Sequence, residues 1–166
     1  MENGIGRDFL SNSIEEFGKL KKLADRALAQ LEPKDYHWQP DNESNSIAII
    51  MKHISGNMIS RWTDFLATDG EKPNRNRDDE FIDNIDSVEG LMTAWERGWA
   101  RLFDTLNSLT DQDVLKIITI RNEPHTVIRA VIRQLVHYGN HVGQIVWIAK
   151  HLKSDNWQTL SMPRRK

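Results

Sequence analysis

Apolar residues recur every three or four positions along four long stretches of this chain, and no other feature of the sequence limits its fold as strongly. That spacing places the apolar side chains on one face of an α-helix, which can then pack against other helices. The four stretches are Leu10–Leu31, Ile47–Phe65, Leu91–Leu106 and Val127–Ile148. Four helices of this length in 166 residues predict a single all-α domain, a four-helix bundle.

Capping and turn-forming residues predict where the helices begin and end. Ser46 is a suitable N-cap for the second helix, which is predicted to stop near Asp69–Gly70. Asn122 and Pro124 signal the start of the fourth helix, which is predicted to extend to about Leu152.

Two connections between the helices have patterns of their own. The segment 69–86, between helices 2 and 3, loses the helical periodicity and is dense in charge, which predicts a long loop and admits a crossover. It starts roughly 24 Å of helix beyond His53, so a structural or partner-binding role is expected for it. The run Val114–Ile120 follows a predicted third helix over 87–108. It is short and β-branched, which predicts an extended segment or one arm of a small hairpin.

The expected domain organisation is simple. The bundle is predicted to occupy residues 1–152, and residues 153–166 are predicted to form a loose C-terminal tail that ends in the basic residues 164–166. Trp38, in the polar segment 32–46, is expected to cover one end of the core.

Composition excludes several classes of protein. The chain has no cysteine, so a transition metal could be bound only by histidine or carboxylate ligands. A formal net charge of -2 argues against broad nucleic-acid binding. The apolar runs are only a few residues long, whereas a membrane-spanning helix needs about 20. Because the N-terminus also lacks a targeting pattern, a cytoplasmic protein that binds neither nucleic acid nor membrane is expected.

Three histidines are candidates for a metal site. His137 and His141 lie four positions apart on the predicted fourth helix, so both imidazoles face the same side, one turn apart. His53 leans toward the bundle interior from the second helix, and the three can meet if the two helices are neighbours. Three histidines and an open position form a ligand set typical of catalytic metal ions. The alternative is that these histidines serve only as core or surface side chains.

The residues around these histidines carry a family resemblance. The segment His137–Ile145 resembles the fourth-helix signature of the DinB superfamily, in which a Gly-Gln-Ile step follows the second histidine. Trp38–Pro40 resembles the Trp-x-Pro segment of that superfamily, and His53 resembles its second-helix ligand. The segments 52–65 and 69–73 are similar to an uncharacterised branch. The resemblance covers nearly the whole chain.

This resemblance implies a four-helix bundle of DinB type, with a long connection between helices 2 and 3 and a divalent metal ion held by His53, His137 and His141. Zinc or nickel is the expected ion, although imidazole ligands also suit iron and copper. Relatives of known activity include thiol-dependent transferases and a maleylpyruvate isomerase. A small-molecule substrate, with a low-molecular-weight thiol as one candidate, and a homodimer are therefore expected.

Three polar residues near the histidines are candidates for contact with the site: Asn57, Gln144 and Arg133. Asn57 and Gln144 each lie within one helical turn of a histidine, on its face. Arg133 lies one turn before the histidine pair and could anchor a substrate carboxylate or phosphate, or pair with a carboxylate of the bundle. Arg61 and Asp64, three positions apart, are predicted to form a local ion pair.

Three functional hypotheses follow from the sequence. The first is a divalent-metal-dependent enzyme that transfers a thiol or activates water. The second is a non-catalytic metal-binding bundle that acts as a structural or protein-interaction module, and the third is a sensor or scaffold with an empty site. Other metal-dependent classes do not fit, because the chain lacks the Glu-x-x-His repeats of di-iron bundles and the His-Glu-x-x-His motif of metalloproteases.

Overall fold

Helices dominate the protein, which we describe from a computed structural model over residues 4–85 and 87–162. The four long helices are α1 (Ile5–Leu28), α2 (Ile47–Trp62), α3 (Val88–Ser108) and α4 (Val127–Lys153). Short 3-10 helices occupy Pro33–His37, Asp79–Phe81, Asp111–Asp113 and Ser154–Asn156. A mostly helical protein with four helices confirms the coarse prediction of an all-α fold, with one small hairpin in addition.

Side-chain caps fix the starts of three helices. The hydroxyl of Ser46 accepts a hydrogen bond of 3.2 Å from the backbone N–H of Ile49, which confirms the predicted N-cap. Ser87 caps α3 in the same way. Thr126 caps α4, with its hydroxyl 3.2 Å from the backbone nitrogen of Arg129. These caps satisfy N–H groups that have no partner within their own helix.

The second helix is shorter than predicted. α2 ends at Trp62, and the chain turns at Asp64, whose φ of 47° lies in the left-handed region. Phe65 is nevertheless buried, and its ring lies 4.8 Å from that of Trp62. Phe65 is apolar because it packs into the core from a turn. The apolar spacing typical of a helix therefore extends beyond the residue at which α2 ends.

The chain before α4 forms a hairpin rather than the start of a helix. Strands β1 (Ile117–Ile120) and β2 (Glu123–Thr126) pair antiparallel. This confirms the predicted hairpin arm, but the prediction that α4 begins at Asn122 and Pro124 is wrong. Arg121 and Asn122 form the two-residue turn with φ values of 56° and 61°, a combination typical of a type I′ turn.

A carboxylate from the loop after α2 holds this turn in place. Asp69 accepts hydrogen bonds from the backbone N–H groups of Arg121, at 2.9 Å, and Asn122, at 2.8 Å. It also accepts one from the N–H of Glu71. Burial works against the charged carboxylate, but these three donors lower the pKa of Asp69 to about 2. The first residues of the loop are thereby fastened to the hairpin.

Asp69→Asn is expected to destabilise the protein by about 1–2 kcal/mol at neutral pH, because charge-assisted hydrogen bonds to backbone donors are lost. The pKa of Asp69 is lower in the folded protein than in the unfolded chain. Its contribution is therefore complete above about pH 4 and is lost as the pH falls toward 2. Urea unfolding of both proteins between pH 7 and pH 3 measures this. Asp78→Asn, a substitution at an exposed position of the same loop, is the control. A difference in unfolding free energy between wild-type protein and Asp69→Asn that did not change with pH would contradict the prediction.

The helices pack around one apolar core. α1 packs chiefly against α4 and α2 against α3, while α2 also contacts α4. Five apolar residues of the third stretch, spaced three or four positions apart, are buried in α3: Leu91, Trp95, Trp99, Leu102 and Leu106. The α2–α4 contact is the one that matters for function, because these two helices carry the candidate ligands.

The described part of the predicted tail is not loose. Arg26 of α1 donates a hydrogen bond of 2.9 Å to the backbone oxygen of Leu160, and Gln30 accepts one of 2.8 Å from the backbone N–H of Gln158. Trp157 packs against the core. The prediction of a loose tail is therefore wrong for residues 154–162, and the basic residues 164–166 lie outside the described residues.

Trp38 is half-buried against the core, where its ring lies 5.2 Å from that of His151. Within residues 4–85 and 87–162, no helix combines the length and the apolar character needed to cross a membrane.

Candidate metal centre

The three predicted histidines meet between α2 and α4. His53 extends from α2, and His137 and His141 extend from successive turns of α4. One ring nitrogen from each lies within 4.8 Å of the others. Nε2 of His53 is 3.3 Å from Nε2 of His137. The condition set by the sequence, that helices 2 and 4 be neighbours, is met.

The other ring nitrogen of each histidine faces an oxygen acceptor. Nδ1 of His53 lies 3.0 Å from a carboxylate oxygen of Glu80. Nδ1 of His141 lies 2.8 Å from the amide oxygen of Gln144. Nδ1 of His137 is 3.4 Å from the amide oxygen of Gln134. Since each acceptor calls for a proton on Nδ1, each Nε2 keeps a lone pair that can bind a metal ion.

This arrangement fits a divalent cation. Two imidazoles with protons on Nδ1 cannot hydrogen-bond through their Nε2 atoms, so the close approach of His53 and His137 sets two lone pairs against each other. Zinc binds imidazole nitrogen at about 2.0–2.1 Å in tetrahedral geometry, which places two such ligands about 3.3 Å apart. No fourth histidine, aspartate or glutamate joins the group among the residues that the structure describes.

Electrostatics keep two of the histidines in the form that binds metals. Burial, the neighbouring His141 and His53, and two arginines lower the pKa of His137 to about 3. Burial also lowers the pKa of His141, against the opposing effect of its hydrogen bond with Gln144. Both imidazoles are therefore neutral near pH 7, which is the protonation state of a metal ligand.

The charged loop after α2 folds back onto the site. Although its first residues lie far from His53 along the helix, Glu80 returns to hydrogen-bond that histidine. The expected structural role of the loop agrees with this contact, but distance along the helix does not keep the loop from the site, because Glu80 lies 27 positions after His53 and the chain can return. Phe81 covers the site from the same loop, with its ring 4.8 Å from that of His53.

An arginine fixes Glu80 in this position. The guanidinium of Arg75 donates to both carboxylate oxygens of Glu80, at 2.7 and 2.6 Å, and also pairs with Glu71 at 3.0 Å. Burial would raise the pKa of Glu80, but the hydrogen bonds from His53 and Arg75 hold it below its ordinary value. Glu80 is therefore a charged acceptor that orients His53.

Gly56 of α2 leaves the space that the Glu80 carboxylate fills. A Cβ atom added at Gly56 would collide with that carboxylate, which His53 and Arg75 hold in place. Gly56→Ala is therefore expected to lower metal affinity about tenfold and stability by about 1–2 kcal/mol, despite the higher helix propensity of alanine. Gly18→Ala in α1 is the matched control, since its added Cβ meets nothing within 4 Å. Equal effects of the two changes in metal titrations and thermal melts would contradict this prediction.

A cavity of about 390 Å³ opens beside the histidines. Every charged side chain that lines it apart from the histidines is an arginine. Its lining residues are His53, Asn57, Arg61, Arg75, Arg77, Phe81, Arg121, Arg133, Gln134, His137 and His141. A cavity of this size is suited to a small molecule.

The three polar candidates from the sequence have different positions. Gln144 contacts a ligand histidine directly. Asn57 lines the cavity, and its amide oxygen accepts a hydrogen bond of 2.9 Å from the hydroxyl of the buried Tyr138. Arg133 is exposed at the cavity wall.

Arg61 does not form the predicted local pair. Asp64 sits in the turn after α2, whereas Arg61 turns inward and lies 3.7 Å from Glu71. Burial, which has the largest effect, and the nearby Arg133 and Arg75 lower the pKa of Arg61 from its ordinary value. Spacing along a helix could not predict this, because the helix ends between the two residues.

Sequence reasoning missed Glu80, Arg75 and Gln134. Gln134 had a detectable signal, since it precedes His137 by the same three residues that separate His141 from Gln144. Glu80 and Arg75 had no local signal, because only the return of the loop brings them to His53.

The fold and the site define a class: a mostly helical protein whose four long helices bring together a three-histidine group compatible with metal binding. The chain belongs to the family described as "Protein of unknown function (DUF1572)", whose model matches residues 4–166. Among curated proteins no match was found. The same holds for solved structures.

Proposed function

We propose that this protein is a DinB-type metal-dependent enzyme that holds a divalent cation on Nε2 of His53, His137 and His141. The observation that carries the proposal is the hydrogen bonding of all three Nδ1 atoms, which leaves three convergent Nε2 lone pairs. Zinc or nickel is the proposed ion. When bound on three neutral imidazoles, such an ion supplies a Lewis acid that lowers the pKa of a coordinated thiol or water.

The surrounding residues provide the orientation that such chemistry needs. Glu80, Gln134 and Gln144 each accept the Nδ1 proton of one histidine and thereby fix its ring and tautomer. Asn57 is oriented by Tyr138, whose hydroxyl donates to the amide oxygen, so the amide nitrogen of Asn57 remains its available donor. The cavity beside the histidines supplies room for a small substrate.

A low-molecular-weight thiol is the proposed first substrate. Because the chain has no cysteine, the sulfur must arrive with the substrate. The thiol would lose its proton to solvent, and its sulfur would form a carbon–sulfur bond while the bond from that carbon to a leaving group breaks and the leaving group departs with the electron pair. Activation of water for hydrolysis is the second possibility for the same site.

A screen of thiols and electrophiles with protein freed of its purification tag and loaded with zinc or nickel tests this function. Consumption of a thiol by the loaded protein, but not by metal-free protein or by His137→Ala, is the expected result. Metal binding without turnover of any thiol or hydrolysable substrate would favour the alternative, a non-catalytic metal-binding module. Equal metal content in wild-type protein and His137→Ala would overturn the site itself.

The homodimer remains a proposal, and one face of α4 supports it. Ile132, Val136 and Trp147 are exposed apolar residues on the same side of α4, beside Gly139 and Gly143. A self-complementary helix face of this kind suits a second copy of the chain. Sedimentation velocity is expected to show a dimer that Val136→Asp dissociates. A wild-type monomer at micromolar concentration would contradict the proposal.

A further inference from the structure

The cavity beside the three histidines contains a cation with unsatisfied hydrogen-bonding capacity. Arg61 has only 2% of its side chain exposed, and its Nε and Nη1 atoms have no hydrogen-bond partner in the described part of the chain. Its nearest carboxylate, Glu71, is 3.7 Å away, beyond hydrogen-bonding distance, and Glu71 is already paired with Arg75 and Arg121. A buried guanidinium that lacks acceptors is costly to the folded state.

The charged side chains that line the cavity with Arg61 all have the same sign. Arg75, Arg77, Arg121 and Arg133 also line the cavity, and no carboxylate is among the lining residues. Arg75 pairs with Glu71 and Glu80, and Arg121 pairs with Glu71. Glu71 and Glu80 can balance two of the five arginines. Three positive charges therefore remain beside the candidate metal ligands, and a bound cation would add to them.

We propose that this cavity binds the oxyanion group of its substrate, a carboxylate or a phosphate, with buried Arg61 as the anchor and the exposed Arg77 and Arg133 at the entrance. The inference deepens the proposed function, because it assigns a substrate class to the same site. Arg61 lines the cavity and has unpaired nitrogens, and guanidinium groups are the side chains best suited to bind an oxyanion. The substrate would then place its reactive part toward the histidines and its anionic group toward Arg61.

Binding of an oxyanion by the cavity can be tested in metal-free protein, separately from metal binding. Isothermal titration with inorganic phosphate and with succinate, at low and constant ionic strength, is expected to show binding of at least one of them. Arg61→Met is expected to weaken that binding about tenfold or more, the loss of a charge-assisted hydrogen bond. Arg101→Gln is the matched control, since it removes one positive charge from an exposed position of α3 and should leave the affinity unchanged. The tighter of the two probes identifies the oxyanion.

A stability measurement distinguishes an anchor from a structural arginine. The melting temperature of metal-free Arg61→Met is expected not to fall, because methionine removes a buried charge without acceptors and Glu71 keeps two other arginines. Should Arg61→Met fail to fold, Arg133→Gln, an exposed change, is still expected to weaken binding several-fold.

Two results would overturn the proposal: no binding of either probe by wild-type protein, or unchanged affinity in the Arg61 and Arg133 variants. Because the anions are titrated into metal-free protein and the metal is measured by chelator competition without them, failure of the metal site and failure of the anion site are separate outcomes.

Discussion

Replacing His137 with alanine is expected to lower the affinity for zinc or nickel by at least about a hundredfold. Complete tetrahedral zinc sites in small domains are worth about 10–16 kcal/mol, so one ligand of the set contributes roughly 3 kcal/mol or more. Competition with a chromogenic chelator measures the affinity of each protein directly. His151→Ala is the matched control, because His151 is on the same helix, exposed and outside the three-histidine group.

The same variant makes a second distinction possible. In metal-free protein the three imidazoles crowd one another, and the pKa of His137 is lowered to about 3. A histidine that stays neutral when folded but binds a proton when unfolded costs stability as the pH falls below about 6.5. Metal-free His137→Ala is therefore expected to lose less stability between pH 7 and pH 5 than wild-type protein. An equal loss would show that His137 is not held neutral by its surroundings.

Replacing Glu80 with alanine is expected to have the largest effect on folding, a loss of about 3–5 kcal/mol. Glu80 is buried and accepts hydrogen bonds from His53 and from two nitrogens of Arg75. Removing it leaves a buried guanidinium with only Glu71 as a partner. Metal affinity is expected to fall by about 10–100-fold as well, because Nδ1 of His53 loses its acceptor.

Two further variants make the Glu80 experiment specific. Glu80→Gln retains the shape and one acceptor oxygen, so its effects on unfolding and on metal binding should be intermediate. Asp78→Ala removes an exposed carboxylate from the same loop and should change neither measurement. Chemical denaturation measures the stability of these variants, and chelator competition measures their metal affinity. Equal stability and equal metal affinity of Glu80→Ala and Asp78→Ala would contradict our interpretation of the loop.

Much of the helical fold could be predicted because periodicity depends only on local spacing. The buried residues of α3 follow from the apolar stripe, and Ser46 follows from the preference for hydroxyl caps. The errors arose at turns, where the local sequence pattern resembles that of a helix. Phe65 is buried from outside α2, and Asn122 with Pro124 resembles a helix start but forms a hairpin.

The candidate site was predictable to the extent that its residues share helices. His137, His141 and Gln144 lie within two turns of α4, so their spacing in the sequence predicts that they lie close together. Glu80 and Arg75 depend on how a loop of charged residues folds back, which no periodicity describes. The ion pairs of Arg75 with Glu71 and Glu80 account for three of the charged residues in this loop.

The acceptor for His53 comes from a loop that supplies no ligand itself, and this has a practical consequence. Binding of an ion by α2 and α4 would lock His53 into the ring orientation that Glu80 recognises, and so would hold the segment around Glu80 against the bundle. Backbone amides near Phe81 should then exchange hydrogen more slowly when the ion is present and faster after chelation. Isotope labelling of this segment would report occupancy of the site without a spectroscopic metal and without knowledge of any substrate.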